Sequence, residues 1–101
     1  MPKGYAIFTE NVNDQDAMGA YSQAAIPTVI AAGGVPIIAG PAEDVLEGEW
    51  HGTQTVVIEF ASVQAARDWY NSPEYQAVMG QRHAAAESNA VIFAGFEMPG
   101  G

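Results

Sequence analysis

The sequence predicts an α+β domain: a four-stranded antiparallel sheet with its helices gathered on one face. Three observations carry this. Short runs of β-formers and helical patterns follow one another in the order β-α-β-β-α-(α)-β. The run Thr53–Phe60 alternates, with Val56, Ile58 and Phe60 on one side and Thr55, Val57 and Glu59 on the other, which is the period of a strand. Two capping signals, Ser62 and Ser72-Pro73, bracket a break in an otherwise continuous helical stretch. The order is the split β-α-β plan of a ferredoxin-like domain, with its second crossover helix divided at Asn71-Ser72-Pro73.

The elements follow in turn. Tyr5–Glu10 is rich in β-formers and forms the first strand. Asn13 or Asp14 caps the next helix, and Asp16 suits its first turn, near the positive end of the dipole. Ala17, Tyr21 and Ala25 make its apolar face, with Met18 beside them. Pro27 has no N–H to give the ladder, so a kink or restart is expected there. Gly33-Gly34 supplies the stop. Val35–Ala39 is the second strand, and Pro36 suits an edge. Gly40-Pro41 bends the chain into an acidic stretch, Ala42–Gly52, which reads as a hairpin arm and turn. After the third strand, Ser62 opens a helix with inner face Val63, Ala66, Trp69 and Tyr70. Ser72-Pro73 opens another, with inner stripe Tyr75, Val78, Met79, Arg82 and Ala86. Ala90–Phe96 is the last strand, and residues 97–101 are expected to fray as a tail.

Right-handed crossovers put both helical layers on one face of the sheet. The other face carries Val57, and Ile92 stands beside Val91 and Phe93, so the strands are apolar on both sides. A solvated antiparallel face alternates more cleanly. A homodimer whose uncovered sheet faces pack together is therefore expected.

Composition removes several function classes. A chain of 101 residues is a single domain, 1–101, and 49% hydrophobic content suffices for a core. Three Lys+Arg against 12 Asp+Glu give a net charge of −9. Three cations cannot build the basic stripe that nucleic acid requires, and anionic membrane surfaces are excluded on the same ground. With no cysteine there is no disulfide, thiolate metal site or thiol nucleophile. The start, M-P-K-G-Y-A-I-F, lacks the pattern of a signal peptide, and no run approaches the roughly 20 apolar residues of a membrane span. A cytoplasmic location is the expectation. No serine lies in a G-x-S-x-G elbow. Gly33-Gly34 follows a helix, the wrong context for a phosphate cradle.

Candidate site residues concentrate between Phe60 and Arg82. Arg82 is a cation on an apolar stripe, and a buried guanidinium needs an acceptor. It is either an anion anchor in a pocket, an ion-pair partner of Glu59 or Asp68, or a stem covering the core with its head in water. His83 is a possible general base, against the plainer reading of a solvated imidazole. Glu59 is an acid on an apolar strand: a base if it faces a pocket, ordinary if it faces a cation or solvent. Tyr70, Tyr75 and Trp69 bracket the helix break, with Tyr21 able to join them and His51 beside Trp50 in the arm. Aromatic rings with polar tips near a cation suit a small aromatic or enol ligand, although Trp69 is equally a core anchor. Two histidines without fixed spacing are a weak metal signal and lack a persuasive setting for haem. No metal or cofactor is expected.

The block W-Y-N-S-P-E-Y-Q at 69–76, with Gly4-Tyr5-Ala6-Ile7, Gly33-Gly34, Leu46–Trp50, Val56–Phe60 and Arg82, resembles family 1330 of the domains of unknown function. The resemblance implies a ferredoxin-like domain of the dimeric α+β barrel superfamily and no established reaction. The chain departs from that pattern at Ala39 and Gln54, where arginines are common, and at Ala94-Gly95 in place of a glutamate. A less polar cavity follows if those groups line it. Two functional readings result. One is a small-molecule-binding barrel, in its catalytic form a cofactor-independent monooxygenase or isomerase acting on a small anionic or aromatic compound. The other is a non-catalytic binding or assembly module.

Overall fold

The computed structural model describes residues 2–99. Four strands, β1 (Gly4–Val12), β2 (Val35–Gly40), β3 (Gln54–Phe60) and β4 (Ala86–Ala94), form one antiparallel sheet in the order β2-β3-β1-β4. The helices α1 (Gln15–Ala31), α2 (Val63–Tyr70) and α3 (Pro73–Ala85) supply the crossovers. The fold class is the ferredoxin-like α+β plan with a divided second crossover. The molecule extends only 15 Å along its shortest axis, which is one sheet and one helical layer.

Local chemistry accounts for the boundaries. Asp14 caps α1 by accepting from the Ala17 N–H at 3.0 Å. Ser62 and Ser72 cap α2 and α3, accepting from Ala65 at 3.0 Å and Tyr75 at 3.2 Å. The α1 stop is a Schellman turn: Gly33 adopts φ 79°, and the N–H groups of Gly33 and Gly34 bond the carbonyls of Ile30 and Val29.

Four expectations are corrected. α1 runs through Pro27 without a restart, because proline removes only the bond to the Gln23 carbonyl and both residues lie on the exposed face. β1 continues to Val12, and β4 begins at Ala86 and ends at Ala94. The polar stretch Glu87-Ser88-Asn89 belongs to the sheet because β1 pairs with it as far as Val12–Ala86. The arm between β2 and β3 carries no strand. Of the expected tail, residues 97–99 lie in neither helix nor strand, and 100–101 fall outside the described residues.

Register divides the sheet into two faces. Ala6, Phe8 and Glu10 on β1 pair with Ile58, Val56 and Gln54 on β3 and point under the helices. Tyr5, Ile7 and Thr9 pair with Glu59, Val57 and Thr55 on the open face. The core beneath the helices is built on Trp69, whose ring sits 4.2 Å from Tyr75, 5.5 Å from Phe60 and 6.0 Å from Phe8 between centroids. β2 is an edge strand, as Pro36 suggests, with a register shift between Pro36 and Ile38.

Candidate functional site

Two charged side chains are buried under the helices, Arg82 and Glu10, each with 2% of its surface exposed. Arg82 reaches inward from α3 because it lies two helical turns beyond Tyr75, on the face that packs on the sheet. Its Nε–H donates to the Tyr75 hydroxyl at 3.2 Å, and Nη1 donates to Ser88 Oγ on β4. The guanidinium carbon stands 5.0 Å from the centre of the Phe8 ring, where the ring face favours a cation. Among the described residues no carboxylate lies within 4.0 Å of it; the ion pair found is Lys3–Glu59. Burial works against its charge, and the hydrogen bond to Tyr75, with Tyr75, Tyr21 and Tyr70 around it, more than offsets this, holding Arg82 above its ordinary value.

The Tyr75 hydroxyl continues the network, lying 2.7 Å from that of Tyr21 on α1. Tyr75 is fully buried, whereas Tyr21 forms part of the wall of a cleft of about 230 Å³ between α1 and the β3–β2 side of the sheet. Phe8, Met18, Val29, Ile58 and Trp69 make its apolar wall, and Glu10, Gln54 and Ser22 are its polar groups. The volume lies below the ~300–1,000 Å³ of sites for drug-sized ligands. Ala39 and Gln54, where the resemblance leads one to expect arginines, both line it. Burial, then the bond to Tyr75, push the Tyr21 phenol far above its ordinary value, so its O–H persists throughout the neutral range.

The expected site residues separate into three groups. Arg82, Tyr75, Tyr21 and Trp69 come together as one cluster, and Tyr70 packs on Tyr75 at 5.6 Å while lining a second hollow against β4. His83 is exposed, its Nε2 3.5 Å from Arg82 Nη2 on the outer side. Glu59 and His51 are remote from the cluster. Glu59 accepts from Lys3 Nζ at 3.1 Å and from the Tyr5 hydroxyl at 3.0 Å on the open face, and both bonds hold its carboxyl below the usual range. His51 Nδ1 bonds Thr9 Oγ1 at 2.9 Å, also on that face. Glu59 therefore does not meet Arg82, and Asp68 is engaged by Gln64.

The pocket acid is Glu10. Strand phase is the signal that locates it: Glu10 follows Ala6 and Phe8 at two-residue spacing, so it shares their inward face. Gln54 and Ser88 are its cross-strand partners. Gln54 and Glu10 bond directly, and Arg82 grips Ser88, so a polar row crosses an otherwise apolar face.

Among the described residues no helix is long and apolar enough to cross a membrane. The sequence matches the family model "Domain of unknown function (DUF1330)" over residues 3–96. No protein of curated function matches it. Among solved structures it is similar to a protein of unknown function from Rhodopseudomonas palustris (20% identity, 96% of this chain and 85% of that one, TM-score 0.74). A dimeric ferredoxin-like protein of unknown function from Jannaschia is also similar (15% identity, 90% and 97% covered, TM-score 0.66). A variant of SnoaB, a cofactor-independent oxygenase from Streptomyces nogalater, matches at 11% identity with both chains fully covered and TM-score 0.71. These likenesses bear on the fold, and the family match spans nearly the whole chain: the protein belongs to the DUF1330 family of domains of unknown function.

Proposed function

We propose that this protein is a small-molecule-binding dimeric α+β barrel whose ligand carries a phenolic, enolic or carbonyl oxygen seated against Tyr21. The observation that carries the proposal is a buried guanidinium with no carboxylate within 4.0 Å among the described residues, linked through Tyr75 to Tyr21, a residue that lines the cleft. In this reading Arg82 donates into the Tyr75 oxygen, Tyr75 in turn donates to Tyr21, and the Tyr21 hydrogen is left for a ligand in the cleft. Such chains strengthen each member in a low-dielectric site. Arg82 is here a positioning residue, and Trp69 with Phe8 supplies the apolar platform. Glu59 and His51, on the far face, and His83, outside the cluster, have no part in this reading.

Cofactor-independent chemistry on a small aromatic or enol compound fits the arrangement, because a preorganised donor beside an apolar wall stabilises a developing oxyanion. SnoaB, a cofactor-independent oxygenase of similar fold, supports the same class by analogy. The uncovered sheet face is assigned to the dimer. Val35, Ile38, Val91 and Phe93 are each about half exposed on it or more, and Jannaschia and Bacteroides fragilis neighbours are described as dimeric.

Thermal melting with β-naphthol, benzoate and an apolar control tests the binding reading. Stabilisation of about 10 °C by β-naphthol at roughly a hundredfold excess over Kd is expected. It should fall sharply in Tyr21→Phe. No shift with any phenol or enol would leave the non-catalytic assembly module as the better reading.

A further inference from the structure

Glu10 is a strange residue to find where it is. It is 98% buried on the helix-covered face, between Phe8 and Val12 along its strand. A buried carboxylate is costly unless paired and hydrogen-bonded. Its partner, Gln54, is neutral: Nε2 donates to Oε1 at 2.6 Å. Oε2 has no hydrogen-bond partner among the described residues. No buried side-chain oxygen or nitrogen of these residues is sealed off without a partner. Oε2 is therefore reached by solvent, and Glu10 lines the cleft. Gly52 helps to hold the strand in place. It adopts φ 90°, and a Cβ there would collide with the Glu10 backbone, while Thr53 N–H bonds the Glu10 carbonyl at 2.8 Å.

The cleft thus brings a carboxylate with a free oxygen, Glu10, and a phenol, Tyr21, to one apolar wall, with Gln54 and Ser22 beside them. From this pairing we infer that Glu10 is a general base that moves a proton on the carbon next to a ketone held by Tyr21, making the site a keto–enol isomerase for small apolar ketones. The inference rests on the binding reading above and adds the base and the reaction class. In the step, Oε2 takes the α-proton. The C–H electron pair becomes the C=C bond of an enolate, and the C=O π pair moves to oxygen, where Tyr21 donates its hydrogen bond. Protonation of the enolate oxygen by a solvent proton gives the enol, and exchange of the Glu10 proton with solvent water before a proton returns to the first carbon gives isotope exchange. No electrons are lost and no co-reactant enters. Gln54 orients the carboxylate, and Arg82 acts through Tyr75 on the donor. An apolar wall suits a neutral ketone better than an acid, because a carboxylate ligand would face Glu10.

The test is hydrogen–deuterium exchange at the α-carbon of β-tetralone in heavy water, followed by NMR, with β-naphthol binding measured in parallel on each variant. Wild type should accelerate exchange at least about a hundredfold over buffer, the usual scale of a positioned base. Glu10→Gln should remove about a hundredfold of that rate while still binding β-naphthol, as tightly or more so, since the neutral amide no longer repels a developing anion. Tyr21→Phe should lose the rate and bind β-naphthol more weakly, so that it fills only at raised ligand concentration. Glu10→Asp serves should Glu10→Gln not fold; it retracts the carboxylate and should slow exchange at least tenfold. Wild-type binding without accelerated exchange, or a Glu10→Gln enzyme as fast as wild type, overturns the base and leaves the pocket standing. Failure of wild type to bind either compound overturns both readings.

Discussion

The two faces of the sheet invert the usual placement of charge and grease. The face beneath the helices holds the buried Arg82 and Glu10, while the face without helices shows Val91, Phe93, Ile38 and Val35. On the open face the charged pair Lys3–Glu59 is an exposed bridge with the Tyr5 hydroxyl attached, a contact of small energetic weight. On the covered face every charge is tied into a network that ends at a cleft. The difference teaches where each proposal rests: the dimer contact on exposed apolar surface, the site on buried charges with neutral partners. An apolar surface is stabilised by any second apolar surface; a lone guanidinium is stabilised only by oriented oxygens.

Breaking the covered face at its centre should have the largest effect. Trp69→Ala empties the space against Tyr75, Phe60 and Phe8 and should cost about 3–5 kcal/mol in denaturant unfolding. On the open face, Phe93→Lys places a charge in the proposed dimer contact. It should raise the dimer dissociation constant by about thirtyfold or more, the scale of a hot-spot loss of 2 kcal/mol, in sedimentation equilibrium, with the ring contacts of the core intact. Tyr75→Phe strips the partner from Arg82 Nε and should cost about 1–3 kcal/mol. Arg82→Met sharpens the contrast. An apolar isostere removes the buried charge together with its desolvation cost, so stability should change little while β-naphthol binding weakens. The smallest effect belongs to Glu59. Its folded value is depressed, so its contribution is present above the unfolded value of about 4.3 and lost as pH falls through the folded value. A comparison of wild type and Glu59→Gln across that range should show a difference at neutral pH that vanishes in acid.

Much of this contrast is legible in the residues. Serine caps and Pro73 place the helix break, because these signals act within a few residues, whereas the facing of Glu59, open in the sequence, is decided by its bonds to Lys3 and Tyr5. Arg82 on the Tyr75 stripe is legible by helical period. Its bond to Ser88 is not, because Ser88 lies in a stretch with weak strand signals, and the link from Tyr75 on to Tyr21 depends on how α1 packs against α3. The start of β4 is obscured because Glu87-Ser88-Asn89 has weak β-propensity, overridden by pairing with β1. Glu10 shows the opposite failure. Its phase with Phe8 is local, but phase alone does not say that the last residue of the expected strand is covered; its burial comes from packing between elements.

The central claim is that charge on Arg82 is relayed to a donor in the cleft. Infrared spectroscopy of β-tetralone labelled at its carbonyl and bound to the protein measures that donor directly. The carbonyl stretch should move to lower frequency on binding to wild type, move less in Arg82→Met, and stay at its apolar-solvent position in Tyr21→Phe. A bound carbonyl with an unshifted stretch in wild type, or a shift that survives Tyr21→Phe unchanged, would contradict the account.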